Sequence, residues 1–224
     1  MNSEKEGSLS ISRQSLQRLP LYLELLKKLK RAGDTNVSSS LIAGTLSLHP
    51  VQVRKDLASV STVEGNPRIG FSLDGLISDI EDFLGFNNVN EAVLVGVGNL
   101  GRALMSYKTF EDCGLRIIAG FDSNPDLIGT TVHGKDILDV SKLSELCDRI
   151  KVHIGIITVP APHAQWVCDR LVEGGIEAVW NFAPTHLIVP DNVILDNENL
   201  SASFAGLSTR LRMKKELKKF SAMI

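Results

Sequence analysis

The 224-residue sequence has only three cysteines, Cys113, Cys147 and Cys168, set far apart and without a C-x-x-C pair. That excludes a disulfide framework and a cysteine zinc site, and a reducing compartment is the simplest setting. Isolated thiols of this kind are usually buried packing residues; a redox-sensing thiol is the alternative. No apolar run approaches the roughly 18 residues of a membrane span. The polar stretch Met1 to Ser10 lacks the apolar core of a secretory signal. A cytoplasmic protein with neither a membrane nor a metal partner is expected. Paired catalytic groups are scarce as well. Of His133, His163 and His186, only the last two fall near predicted strand ends, and neither has an orienting partner in the sequence.

What is present is a soluble globular composition, 43% hydrophobic and 22% charged, in a chain long enough for two domains. The formal net charge of −2 hides an asymmetry. Between Leu9 and Leu73 stand Arg13, Arg18, Lys27, Lys28, Lys30, Arg31, Arg54, Lys55 and Arg68, opposed only by Glu24, Asp34, Asp56 and Glu64, an excess of about +5. A second basic cluster, Lys214, Lys215, Lys218 and Lys219, lies near the C-terminus. The character of the chain changes near Gly85 to Asn90. The expected organisation is a helical head over 1–86, a nucleotide-binding body over 87–198 and a helical segment over 199–224.

In the head, Leu16, Leu19, Leu23, Leu26 and Leu29 recur at helical spacing, with Pro20 near the start of the run and Gly33-Asp34 at its end. Ser38 or Ser39 can cap a second helix that turns Leu41, Ile42 and Leu46 inward. After His49-Pro50 a third helix is predicted from Val51 to about Val60, with Val53 and Leu57 toward the core and Gln52, Arg54, Lys55 and Ser59 outward. Such a trio makes a helix-turn-helix whose third helix enters the major groove, where Gln and Arg can read base edges and Lys a base or phosphate. The turn Glu64-Gly65-Asn66-Pro67, between Ser61-Thr62-Val63 and Arg68-Ile69-Gly70-Phe71, predicts a hairpin wing with Arg68 toward phosphate or the minor groove. The plainer alternative is a helical oligomerisation head with solvated charges.

Behind the head, Gly96-Val97-Gly98-Asn99-Leu100-Gly101 follows the apolar run Ala92 to Val97 and opens a helix. This is a G-x-G-x-x-G dinucleotide fingerprint in the strand–turn–helix setting it requires. A second strand, Leu115 to Phe121, ends at Asp122, about 20 residues on, where a carboxylate suits the adenosine ribose hydroxyls and repels a 2′-phosphate. Ser123-Asn124-Pro125 supplies no arginine to reverse that preference, so NAD(H) is the expected cofactor. Further strands, Val152 to Val159 and Ala178 to Phe182, complete a doubly wound parallel sheet, with a helix from about His163 to Glu173 between them. Their ends place Thr158, Val159, Pro160, Asn181, Phe182, Ala183 and Pro184 on the nicotinamide side. Another nucleotide, such as coenzyme A, is the alternative ligand. The segment from Asn199 to about Phe220 predicts a long helix with Leu200, Phe204, Leu207, Leu211 and Met213 on an apolar face.

Taken in order, Arg18-Leu19-Pro20-Leu21-Tyr22, Val37-Ser38-Ser39, Gln52-Val53-Arg54-Lys55-Asp56-Leu57, the glycine loop, Gly120-Phe121-Asp122, Thr158-Val159-Pro160 and Asn181-Phe182-Ala183-Pro184 resemble the Rex family of redox-sensing transcriptional repressors, over about Ile11 to Leu211. The resemblance implies an α/β chain with an N-terminal winged helix-turn-helix domain, a Rossmann domain and a C-terminal helix swapped between subunits. It implies a homodimer that binds a palindromic operator in double-stranded DNA and releases it on binding NADH, not an enzyme. Ser38, Ser39, Gln52, Arg54, Lys55 and Arg68 are the expected DNA contacts. Tyr107, on the helix after the glycine loop, matches a family tyrosine near the nicotinamide that takes part in the switch.

Three departures stand out. Ala58 to Val63 replaces an aromatic-glycine run, and only Gly70-Phe71 resembles the end of the family's glycine-rich wing. Glu24 and Asn199 occupy positions where some members carry an arginine and an aspartate that latch domains and subunits together. Leu200 stands where an aromatic can follow that aspartate, with Phe204 one turn later. A small NAD-dependent oxidoreductase with a helical dimerisation head is the alternative to a repressor.

Overall fold

The computed structural model describes residues 11–62, 65, 66 and 69–221, with the backbone alone at Leu200 and over 217–221. The chain divides between Asn88 and Val89 into two compact units.

The first unit is built around helix α1 (Arg13–Arg31), which starts because the Ser12 hydroxyl accepts the Ser15 amide at 3.1 Å. The helix therefore begins a turn earlier than the leucine run suggests, and Pro20 sits well inside it rather than near its start. Proline is tolerated there on the exposed face, while Leu19, Tyr22, Leu23 and Leu26 bury on the other. After strand β1 (Asn36–Val37), Ser38 caps α2 (Ser39–Leu46) through its hydroxyl, and His49 caps α3 (Pro50–Ala58) with Pro50 at the first position. Strand β2 (Phe71–Ser72) leads into α4 (Leu73–Phe83), whose Leu73, Leu76, Ile77 and Ile80 join one core with Leu19, Leu26, Ile42, Val53 and Leu57.

Phe71-Ser72 has a partner that the sequence did not suggest: it pairs antiparallel with Asn36-Val37, between α1 and α2. Val37 is buried, which fixes that edge, whereas Ser61 and Thr62 are taken up by Asp79 of α4. The Thr62 amide and both hydroxyls bind its carboxylate. Among the described residues, an antiparallel bridge joins Asn66 and Gly70. Val63, Glu64, Pro67 and Arg68 lie outside the described residues.

The second unit is a parallel sheet with helices on both faces. Its strands are β3 (Asn90–Val95), β4 (Leu115–Asp122), β5 (Thr131–Val132), β6 (Lys135–Asp139), β7 (Ile154–Ile157), β8 (Ala178–Asn181) and β9 (Ile194–Asn197). Among the described residues their spatial order is β5-β6-β4-β3-β7-β8-β9, all parallel except the β5–β6 hairpin. Without β5 this is the 3-2-1-4-5-6 order of a dinucleotide-binding sheet, whose order reverses between β3 and β7. Alternation along β3 sends Val93 and Val95 into a core with α7 (Leu143–Ile150) and α8 (Ala161–Glu173). Ala92 and Leu94 go to the opposite core, with Met105 of α5 (Asn99–Met105) and Phe110 of α6 (Thr109–Asp112).

Asn199 caps the final helix, α9 (Leu200–Ser221), its side-chain oxygen accepting the Ala202 amide at 2.8 Å. Residues 201–216 are all exposed, among them Phe204 (68%), Leu207 (57%), Leu211 (52%) and Met213 (53%). No helix among the described residues is long and apolar enough to cross a membrane.

Candidate functional site

Strand β3 ends by delivering the glycine loop into the crevice where strand order reverses. Gly96 has φ +99°, and a Cβ there would lie 2.8 Å from Val159 Cγ1 and 2.9 Å from the Thr158 carbonyl carbon. Both the left-handed backbone and the lack of room demand glycine. At Gly101 a Cβ would lie 2.1 Å from the Gly96 carbonyl oxygen, so glycine is what lets α5 start against the strand end. Gly98 is different. Its φ of −76° is ordinary, it caps α5 without a side-chain bond, and a Cβ would meet nothing within 4 Å. The protein's own packing does not require glycine at this position, yet the backbone here lines the cleft. That is the signature of a surface kept bare for something to approach, beside helix amides without internal acceptors.

Two side chains clamp the loop. Asp122, at the end of β4, accepts the Val97 amide at 2.7 Å through Oδ2 and the Asn124 amide at 2.9 Å through Oδ1. Thr158, past the end of β7, donates its hydroxyl toward the carbonyl oxygens of Gly96 (2.7 Å) and Val95 (3.0 Å). The cleft between them has a volume of about 740 Å³, the size of a cofactor site. Of the residues predicted to hold a dinucleotide, Gly96, Gly98, Leu100, Asp122, Thr158, Val159, Pro160 and Phe182 line it. Ser123, Val140, His163, Trp166, Val167 and Pro184 line it too. Trp166 follows His163 by one turn of α8, close enough to share its face, a helical spacing that could have flagged it.

Five residues predicted to hold the dinucleotide, and Ala183 beside them, are not brought to the cleft wall. Val97 turns its side chain into the core and offers its amide to Asp122. Asn99 belongs to the first turn of α5 without lining the cavity, and Gly101 is buried beneath it. Asn181 is fully buried: its amide nitrogen donates to the Ala183 and Thr185 carbonyls and to Asn197 Oδ1, while its oxygen accepts the Ala183 amide. It shapes the turn that presents Phe182 and is buried behind the cleft wall. Tyr107 requires a correction of place. It lies beyond the C-terminal end of α5, not on it, about 10 Å of helix from Gly98. There it is 54% exposed and lines a separate groove with Lys108, Glu111, His133 and Lys135. A row of rings, Tyr107–Phe110–Trp180–Phe182, with centroids 4.9, 5.5 and 4.8 Å apart, connects that groove to the cleft.

In the first unit, Arg54 and Lys55 are exposed on α3. Ser38 is exposed while serving as the α2 cap, and Ser39 is half-buried. Arg68 lies outside the described residues. Gln52 is only half-buried and is tied inward, its Nε2 donating to Asp56 Oδ1 at 2.8 Å. Asp56, 1% exposed, is the hub of this helix pair. It accepts two bonds from Arg18 (2.6 and 2.9 Å) and one from the Tyr22 hydroxyl (2.7 Å), binding α3 to α1. Burial pushes the Asp56 carboxyl up, but the bonds from Arg18, Tyr22 and Gln52 outweigh it and hold the group at about 2. Burial and then the Asp56 carboxylate push the Tyr22 phenol up to about 12. In the sequence Asp56 counts only as one of the acids opposing the basic residues; the structure shows it to be buried.

Residues 87–185 match the CoA binding domain family, and residues 10–58 match the family described as "Putative DNA-binding protein N-terminus". The chain is 40% identical over 208 residues to the redox-sensing transcriptional repressor Rex of Bacteroides fragilis, covering 93% of this chain and 94% of that protein. It is 39% identical over 201 residues to the Rex of Treponema denticola, covering 90% and 95%. Among solved structures it is similar to RSP, a Rex-family repressor, in complex with β-NAD⁺ and operator DNA, with a TM-score of 0.85, 33% identity, and coverage of 95% and 97%. The β-NADH complex of RSP gives a TM-score of 0.83 over 94% and 98%. The chain belongs to the Rex family of redox-sensing transcriptional repressors.

Proposed function

We propose that this chain is a transcriptional repressor that reads the NADH/NAD⁺ ratio, holding a palindromic operator as a homodimer and releasing it on NADH binding. The observation that carries the reading is the bare backbone at Gly98 opposite Asp122, in a family whose structures include dinucleotide and operator complexes. The residues fit the cofactor. Gly98 leaves room for a pyrophosphate, Asp122 retains acceptor capacity for ribose hydroxyls, and the Val159-Pro160 and Phe182 walls suit a flat ring. When bound, the dinucleotide supplies a ring that is cationic in its oxidised form and neutral in its reduced form. The protein's part is to hold it and to exclude water with Val140, Trp166 and Phe182.

In this reading Arg54 and Lys55 contact DNA from α3, with Arg68, Ser38 and Ser39 as further contacts. The exposed apolar face of α9 supports its assignment as the dimerisation helix. The protein acts in the cytoplasm and is not an enzyme. The competing oxidoreductase reading would rest on His163, which lines the cleft. Substrate turnover that is lost in His163→Ala would establish it. Operator binding measured by anisotropy while NADH and then NAD⁺ are titrated tests the proposal directly.

A further inference from the structure

Glutamine is an ambidextrous reader: its amide can turn either a donor or an acceptor toward a base, or both toward adenine. Here that freedom is narrowed, because one of its two amide protons is committed inward. Gln52 lies in the first turn of α3, four residues before Asp56, and its Nε2 is 2.8 Å from Asp56 Oδ1. The carboxylate can only accept, because Arg18 and the Tyr22 hydroxyl already donate to it at 2.6 to 2.9 Å. Turning the Gln52 oxygen inward would set it against a buried negative charge. The amide is therefore held with nitrogen in and oxygen away from Asp56. Arg54 and Lys55, by contrast, are exposed and have no side-chain partner among the described residues.

The geometry points to Asp56 as a positioning residue for base readout. By holding the Gln52 nitrogen it presents the side-chain oxygen to DNA, so the head favours a base whose edge donates, adenine N6 or cytosine N4, where Gln52 faces the groove. This inference rests on the DNA-binding reading of α3. It adds a rule that the family resemblance does not contain: Arg54 and Lys55 adapt, whereas Gln52 arrives preset and loses little freedom on binding.

The test uses the full chain. Duplexes selected from a random pool define the bound sequence, and each of its positions is then replaced by every other base pair. Wild type is expected to show one position where adenine or cytosine exceeds guanine or thymine by about fivefold or more. Gln52→Ala should erase the preference there and nowhere else. Asp56→Asn, which lets the Gln52 amide turn over, should reduce it to within about twofold while the other positions keep their ranking. An unchanged profile in Gln52→Ala, or a wild-type preference retained in Asp56→Asn, overturns the inference.

Hydrogen exchange of the Gln52 side-chain amide by NMR serves as a second measurement if Asp56→Asn fails to fold. In wild type it should be well protected relative to the exposed Gln14 and Gln17. Exchange as fast as theirs overturns the inference too. A full chain that selects no duplex, with the amide still protected, instead overturns the DNA-binding reading and the readout built on it.

Discussion

Asp122 and Val97 are 25 residues apart in the chain and joined by a 2.7 Å hydrogen bond from the Val97 amide to the Asp122 carboxylate. The acid proposed to hold the ribose thus also sets the glycine loop, and shape and chemistry at the cleft depend on one residue. Asp122→Ala should weaken NADH binding by about tenfold or more, the scale of losing charge-assisted hydrogen bonds. Energy transfer from Trp166 in the cleft wall to bound NADH provides the readout. Unchanged affinity would remove Asp122 from the site.

Gly98 and Gly101 separate folding from binding. Gly98→Val should fold with a Tm within about 2 °C of wild type, because its Cβ meets no protein atom and its φ is ordinary. It should nevertheless lose the NADH response. Gly101→Ala should lower the Tm by about 5 °C or more, since its Cβ would overlap the Gly96 carbonyl. Thermal melts with and without NADH distinguish the two.

The head should weaken at both pH extremes. Asp56 is held at about 2 in the fold against an ordinary 3.8, so its contribution of about 2 kcal/mol is present above pH 4 and is lost as pH falls toward 2. Tyr22, pushed up to about 12 from 10, favours the fold below pH 10, and that support is lost as pH rises toward 12. Urea melts followed across pH should show both limbs. Asp56→Ala should flatten the acid limb and lower stability at pH 7 by about 3 kcal/mol, because it strands a half-buried guanidinium.

Thiol chemistry should play no part in sensing at two of the three cysteines. Burial pushes Cys147 up to about 11, and burial with Asp169 does the same at Cys168. Alkylation of native protein at pH 7.5 should leave both unmodified, and Cys147→Ala with Cys168→Ala should keep the NADH response.

The apolar face of α9 should prove to be buried in solution. Leu207→Glu with Leu211→Glu is expected to convert a dimer to a monomer by light scattering and to cost operator affinity.

Much of the second unit was legible because its signals are local. The glycine spacing, the apolar run before it and the acid at Asp122 each follow from chain order. The partner of Phe71 was not: two-residue strands carry no periodicity, and Val37 is 34 residues away. The structural role of Asp56 was hidden for a related reason. A charge on a basic helix looks solvated until Arg18 and Tyr22 arrive from another helix 34 to 38 residues earlier. Asn181 was read as a ligand contact because it ends a strand, yet its side chain is buried and bonded to the turn after it and to Asn197 of β9. Trp166 escaped notice because its helix, and not a strand end, brings it to the cleft.

The most direct test of the central claim is the affinity of the full chain for its selected operator duplex with saturating NAD⁺ and then saturating NADH. The account predicts at least a tenfold weaker complex with NADH, a coupling of about 1.4 kcal/mol or more, abolished in Gly98→Val. Equal affinity in the two ligand states would contradict it.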